Sequence, residues 1–153
     1  MIPFLVSGTH PRLTEYEARL RFPELSWQRT DTVLVGQDIP HLPDAFRDLA
    51  DTVKYGEIIA TNIAEPDVAQ TISEWIIVHP RAERVLFSVD VVNSKTLPVK
   101  RVGMSLKRHL QEQGKSVRWV TSEQTGASSA AITKLDLIAQ GYDFTIIATK
   151  DGY

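Results

Sequence analysis

The sequence contains no cysteine. Disulfides, thiolate metal sites and cysteine nucleophiles are therefore excluded, and redox chemistry does not diagnose the compartment. Long apolar runs are missing too. No stretch approaches the roughly 20 residues that span a bilayer. The apolar start, Met1 to Val6, is too short for a signal sequence and has no basic lead-in. A cytoplasmic protein with no membrane partner is expected. Absent as well are a G-x-G-x-x-G fingerprint, a P-loop and a serine in an elbow motif. His10, His41, His79 and His109 lie far apart without ligand spacing, so no metal site is expected. A nucleophile needs a base beside it. None is paired in this way, and no catalytic residue is assigned.

What is present is an ordinary globular composition with an uneven charge. The chain has 153 residues, enough to bury a sizeable core as one medium or two small domains. Its formal net charge is −2, yet residues 1–94 carry eight Lys/Arg against fourteen Asp/Glu and residues 95–153 carry nine against five. Between Lys95 and Arg118 stand seven Lys/Arg and one Glu. A basic block inside an acidic protein points to a polyanion.

The first sixty residues read as strand, helix, strand, strand, helix, strand. Ile2–Ser7 is the first strand. Thr14 and Glu17 have capping-box spacing, with Leu13 and Ala18 as a small staple, so a helix is expected from Glu15 to Phe22, closed by Pro23. Leu25–Arg29 and Thr32–Gly36 read as strands joined by a tight turn at Thr30-Asp31. Leu42, Ala45, Phe46 and Leu49 have helical spacing and predict a second helix from Pro43 to Ala50. Val53–Ala60 is the last strand. This order is that of a ferredoxin-like βαββαβ fold, which does not set a function.

Beyond a connector at 61–65, Pro66 suits a first helical turn. Val68, Ile72, Trp75 and Ile76 give that helix one apolar stripe. Val85–Val91 reads as a strand. Pro98 opens the basic helix and Gly114 closes it, with Val102, Leu106 and Leu110 as its apolar stripe. Lys100 and Lys107, like Arg101 and Arg108, are seven apart and lie along its flanks. Val117–Thr121 is a strand with Arg118 and Trp119 on opposite faces. A helix from Ser128 to Gly141 and a strand Phe144–Ala148 follow. Asp151-Gly152 is a hairpin signal, so the chain is expected to be a piece of a longer protein.

Two stretches carry candidate chemistry. Lys100, Arg101, Lys107, Arg108, Lys115, Arg118 and Lys134 can hold an RNA backbone, by planar forks from arginine and point charges from lysine. The same block also reads as a solvated helix face. Trp119 is either a base-stacking platform or a core residue. The small residues Gly126 to Ser129 open a helix where a phosphate can approach free backbone N–H groups, or where a serine simply caps it.

These residues resemble a known family. Gly8, Pro11, Leu13, Thr14 and Glu17, followed by Lys54-Tyr55-Gly56-Glu57-Ile58, are similar to the start of tRNA guanine-N2 methyltransferases that act near tRNA position ten. The second half resembles their THUMP domain, through Phe87-Ser88-Val89, Val99-Lys100-Arg101-Val102-Gly103, Ser116 to Val120, Ser128 to Lys134 and Asp143-Phe144. The resemblance implies an α+β architecture, with a ferredoxin-like domain at 1–60 and an α/β THUMP domain at 61–153. It implies a tRNA-binding module that grips the acceptor stem and 3′ end, with Ser128 and Ser129 receiving a phosphate or the terminal ribose. In that family a separate C-terminal methyltransferase domain binds S-adenosylmethionine. This chain has neither that domain's glycine-rich loop nor its Pro-Pro-Tyr motif, so no cofactor is expected here. The expected partners are tRNA and the methyltransferase domain, not DNA. Two alternatives stay open: the same module in another tRNA-modifying enzyme such as a 4-thiouridine synthetase, and a small-ligand regulatory or oligomerisation domain.

Overall fold

Proline placement and buried polar pairings decide where the elements of this chain begin. The computed structural model describes residues 1–121, 137–149 and 153. Both halves combine helices with β-sheet, an α+β architecture. The chain divides into two compact units, Met1–Thr61 and Asn62–Tyr153.

The first unit holds β1 (Ile2–Ser7), α1 (Pro11–Arg21), β2 (Trp27–Thr30), β3 (Val33–Gly36) and β4 (Thr52–Ile58). The strands form one antiparallel sheet in the order β2-β3-β1-β4. α1 starts at Pro11, not at Glu15, because proline suits the first helical turn. The capping box is not formed. Thr14 is fully buried inside the helix, and its hydroxyl donates to the Asp51 backbone carbonyl and carboxylate, each at 3.3 Å. The Glu17 carboxylate accepts instead from the Ala50 N–H at 2.9 Å. The Asp51 carboxylate also accepts the His10 N–H at 2.8 Å. The helix start is thus fixed by a residue at the far end of the unit. Leu13 stays exposed while Ala18 is buried, so the expected staple does not form either. Arg19, together with Arg29 on β2, holds the Glu15 carboxyl below its ordinary range and ties α1 to the sheet edge.

The hairpin turn sits at Asp31-Thr32, one residue later than expected, since Thr30 pairs with Val33. Asp31 supplies the positive φ of 55° that such a turn needs, and aspartate tolerates that region better than most residues. The helix expected over Pro43–Ala50 is a 3₁₀ turn, Asp44–Asp48. Phe46 and Leu49 are both buried at i and i+3, the spacing that a 3₁₀ turn brings into line. Phe46 packs edge-on to Phe22 at 4.7 Å and beside Trp27 at 5.7 Å, the centre of this unit's core.

In the second unit a 3₁₀ turn, Glu65–Asp67, leads into α2 (Val68–Val78), followed by β5 (Arg84–Val92), α3 (Val99–Glu112), β6 (Ser116–Trp119), α4 (Leu137–Gln140) and β7 (Tyr142–Ile147). The strands are parallel in the order β6-β5-β7. β5 is central, and Val85, Phe87, Ser88 and Val89 are buried, which matches its near-continuous apolar run. Val68, Ile72 and Ile76 of α2 and Val102, Leu106 and Leu110 of α3 fill one core against Phe87, Val89 and Ile146. α3 ends in a Schellman motif. The Lys115 N–H donates to the Leu110 carbonyl at 3.0 Å and the Gly114 N–H to Gln111 at 2.9 Å, with Gly114 at φ 74°. The expected stop at Gly114 is therefore a left-handed cap.

β7 is tied to the α2–β5 connection by Tyr142 and by Arg81, whose guanidinium donates to the Gly141 carbonyl at 2.8 Å. The Tyr142 hydroxyl donates to the His79 carbonyl at 2.7 Å and accepts the Arg81 N–H at 2.9 Å, while the Arg81 guanidinium lies 5.0 Å from the ring centre. Tyr142→Phe keeps the buried ring and removes both hydrogen bonds. It is expected to cost about 1–2 kcal/mol, since both bonds are only partly buried and water replaces part of what is lost. Hydrogen exchange of the β5 and β7 amides measures it. Among the described residues, no helix is long and apolar enough to cross a membrane.

Candidate functional site

α3 gathers most of the basic block on one surface. Its apolar stripe faces the sheet and α2, so by helical spacing Lys100, Arg101, Met104, Lys107 and Arg108 fall on the outer side. Lys100, Arg101 and Arg108 are exposed and Lys107 is half-buried. Met104, 54% exposed, sits in the middle of these cations as an apolar spot. Lys100 and Lys107 are about 10 Å apart along the axis at 1.5 Å per residue.

The two flanks differ in what they border. Gly103 lies against Trp119 of β6: a Cβ added there would fall 2.4 Å from the indole ring. Gly103 is three residues from Lys100 and four from Lys107, so the lysines rise on the β6 side. Arg101 lies on the α2 side, where Glu65, Pro66, Ala69, Arg101, Val102 and Ser105 line an open cleft of about 320 Å³. Its floor, Ala69 and Val102, is buried and apolar.

Both arginines already hold carboxylates. The Arg101 guanidinium donates to Glu65, 36 positions away in sequence. Arg108 Nε donates to Glu112 at 2.8 Å, one helical turn on. Among the described residues, Lys100, Lys107, Lys115 and Arg118 have no ion-pair partner. On α3 the lysines are therefore the available charges, and Arg101 and Arg108 are available only by exchange.

Arg118 does not join the α3 surface. Trp119 stacks on Phe87 in the core, with centroids 6.4 Å apart and planes 9° from parallel. Alternation along β6 then turns Arg118, paired in register with Leu86, to the other face of the sheet. The same packing leaves Trp119 half-buried against the core, between Phe87 and Gly103. Lys115 is half-buried beside the Schellman cap. Ser128, Ser129 and Lys134 lie outside the described residues.

The histidines stay dispersed. His10 and His79 flank α1 and α2 as caps, with the His79 ring stacked on Trp75 at 4.4 Å, and His109 lies on α3. Among the described residues no cluster of His, Asp or Glu is placed to hold a metal ion. Glu65 is the neighbour of Arg101 that the sequence does not announce. Nothing local links a carboxylate in a connector to an arginine 36 residues later. No protein-family model matches the chain, and no curated protein matches it.

Proposed function

We propose that this chain is the RNA-binding part of a tRNA-modifying enzyme, with tRNA guanine-N2 methyltransferases as the best-fitting parent class. The observation that carries this reading is the outer face of α3. In a protein of net charge −2 it presents unpaired Lys100 and Lys107 beside Arg101 and Arg108, on a rigid helix capped at its C-terminus. Sheet order supports the domain reading. An antiparallel sheet ordered β2-β3-β1-β4 with α1 after β1 fits a ferredoxin-like first domain, in which the 3₁₀ turn stands for the second helix. A parallel sheet with α2 and α3 on one face fits an α/β second domain of the THUMP kind.

The mechanism is recognition by backbone charge and shape. Lysine ammonium groups neutralise phosphates and release their counterions, and the base sequence is not read. The module then presents a distant nucleoside to a methyltransferase domain, where S-adenosylmethionine would supply the methyl group. Cytoplasmic tRNA is the partner.

The test is fluorescence anisotropy with an unmodified tRNA transcript. With about four phosphate contacts, log affinity should fall with log salt at a slope near −3, about 60-fold between about 50 and about 200 mM. Duplex DNA of equal length should bind less tightly. Affinity that stays flat with salt, or equal affinity for both, overturns the proposal.

A further inference from the structure

Glu65 and Arg101 come from separate elements, and both are held in place. Glu65 opens the 3₁₀ turn that is closed by the Asp67 N–H on the Ala64 carbonyl at 2.9 Å and runs into buried Val68. Arg101 lies in the first turn of α3, its N–H on the Pro98 carbonyl at 2.8 Å. The carboxylate is therefore preset on the guanidinium. Arg108 differs. Its partner Glu112 is on the same helix, and both side chains are largely exposed, at 81% and 54%. That pair can swing apart freely.

We propose that Glu65 is a built-in competitor for the phosphate position at Arg101, and so a specificity-determining residue of the α3 surface. This rests on the RNA-binding reading above. The site is a cleft of about 320 Å³ with an apolar floor, the guanidinium and Ser105 on the α3 side and the carboxylate on the other. A phosphate entering it gains the guanidinium fork but meets the Glu65 charge. The Glu65–Arg101 pair is open to water, with side chains 36% and 69% exposed, so it is weak enough to be exchanged. A single phosphate has too little to offer for that exchange. A polyanion also engages Lys100 and Lys107, and those contacts drive Glu65 off the guanidinium. The surface thus accepts an extended phosphodiester backbone and refuses small phosphate ions.

The experiment compares wild type, Glu65→Gln, Arg101→Gln and the double variant. Glu83→Gln, an exposed glutamate outside the cleft, controls for net charge. Affinity for a tRNA transcript is measured by anisotropy at two salt concentrations. Glu65→Gln should tighten binding about five- to tenfold at both salt concentrations and leave the salt slope within about half a unit of wild type, since the polyanion reaches Arg101 in either protein. It should do nothing in the Arg101→Gln background, and Glu83→Gln should change affinity less than about twofold. A second arm titrates inorganic phosphate and follows the Arg101 Nε–H signal by NMR. The signal should move in Glu65→Gln and stay still in wild type. Unchanged or weaker tRNA binding in Glu65→Gln, or an equal gain without Arg101, overturns the competitor role. Should no variant bind RNA, the RNA reading falls, and the phosphate titration alone decides the role of Glu65: movement in wild type, or none in the variant, overturns it.

Discussion

Lys100→Glu combined with Lys107→Glu is expected to weaken tRNA binding about a hundredfold near about 100 mM salt. Each change removes one phosphate contact and adds a repulsive charge, and about tenfold per site corresponds to about 1.4 kcal/mol. Folding should survive. Neither lysine has an ion-pair partner among the described residues; Lys100 is exposed, and Lys107, half-buried, lies outside the buried Val102, Leu106 and Leu110 stripe. Surface changes of this kind cost about 0.5 kcal/mol or less each, so hydrogen-exchange protection of α3 should fall by no more than about fivefold. The lysines give a cleaner test than the arginines. Arg101→Glu would set a second carboxylate beside Glu65, and Arg108→Glu would do the same beside Glu112. Those variants mix lost binding with local repulsion. If the double lysine variant binds tRNA within about threefold of wild type, the α3 surface is not where the phosphates sit.

Gly103→Val is expected to destabilise the second unit by about 3 kcal/mol. A Cβ at this position meets three atoms of the Trp119 indole at 2.4, 2.5 and 2.9 Å, and moving the ring aside breaks its parallel packing with Phe87. Valine adds two further methyl carbons, and its gain in helix propensity over glycine, about 0.3 kcal/mol, is small beside the clash. Because the chain has two units, one melting midpoint does not define the loss. Hydrogen exchange of α3 and β6 amides does, and their rates should rise about a hundredfold while those of residues 1–61 stay unchanged. Trp119→Phe in the same background should restore part of the protection, since the smaller ring makes room. Exchange rates that do not change would mean that α3 does not rest on Trp119.

The elements bounded by backbone chemistry were legible in the sequence. Pro98 and Gly114 bracket α3 because proline suits a helix start and glycine takes positive φ at no cost, and the helix runs Val99–Glu112 between them. β5 was legible from its apolar run. The start of α1 was not, because the Thr14 hydroxyl is taken by Asp51, 37 positions away, and a local capping rule cannot see that competitor. The second helix of the first unit failed for a related reason. Phe46 and Leu49 satisfy both an α-helical and a 3₁₀ spacing, and the short span from Pro43 to β4 admits the 3₁₀ turn. For the candidate site, the concentration of charge could be read directly. Which cations remain available could not, because the Arg101–Glu65 pairing exists only once α2 and α3 lie side by side. Period-two alternation did separate Arg118 from Trp119, and with Trp119 packed against the core Arg118 faces away from α3.

The most direct test of where RNA lies is amide chemical-shift mapping of the whole chain against increasing tRNA transcript. Shifts should concentrate on α3, at Lys100, Arg101, Met104, Lys107 and Arg108, with Glu65 moving in step with Arg101. Shifts confined to residues 1–61, or to Arg118 and its neighbours on the opposite face of the sheet, would contradict the account.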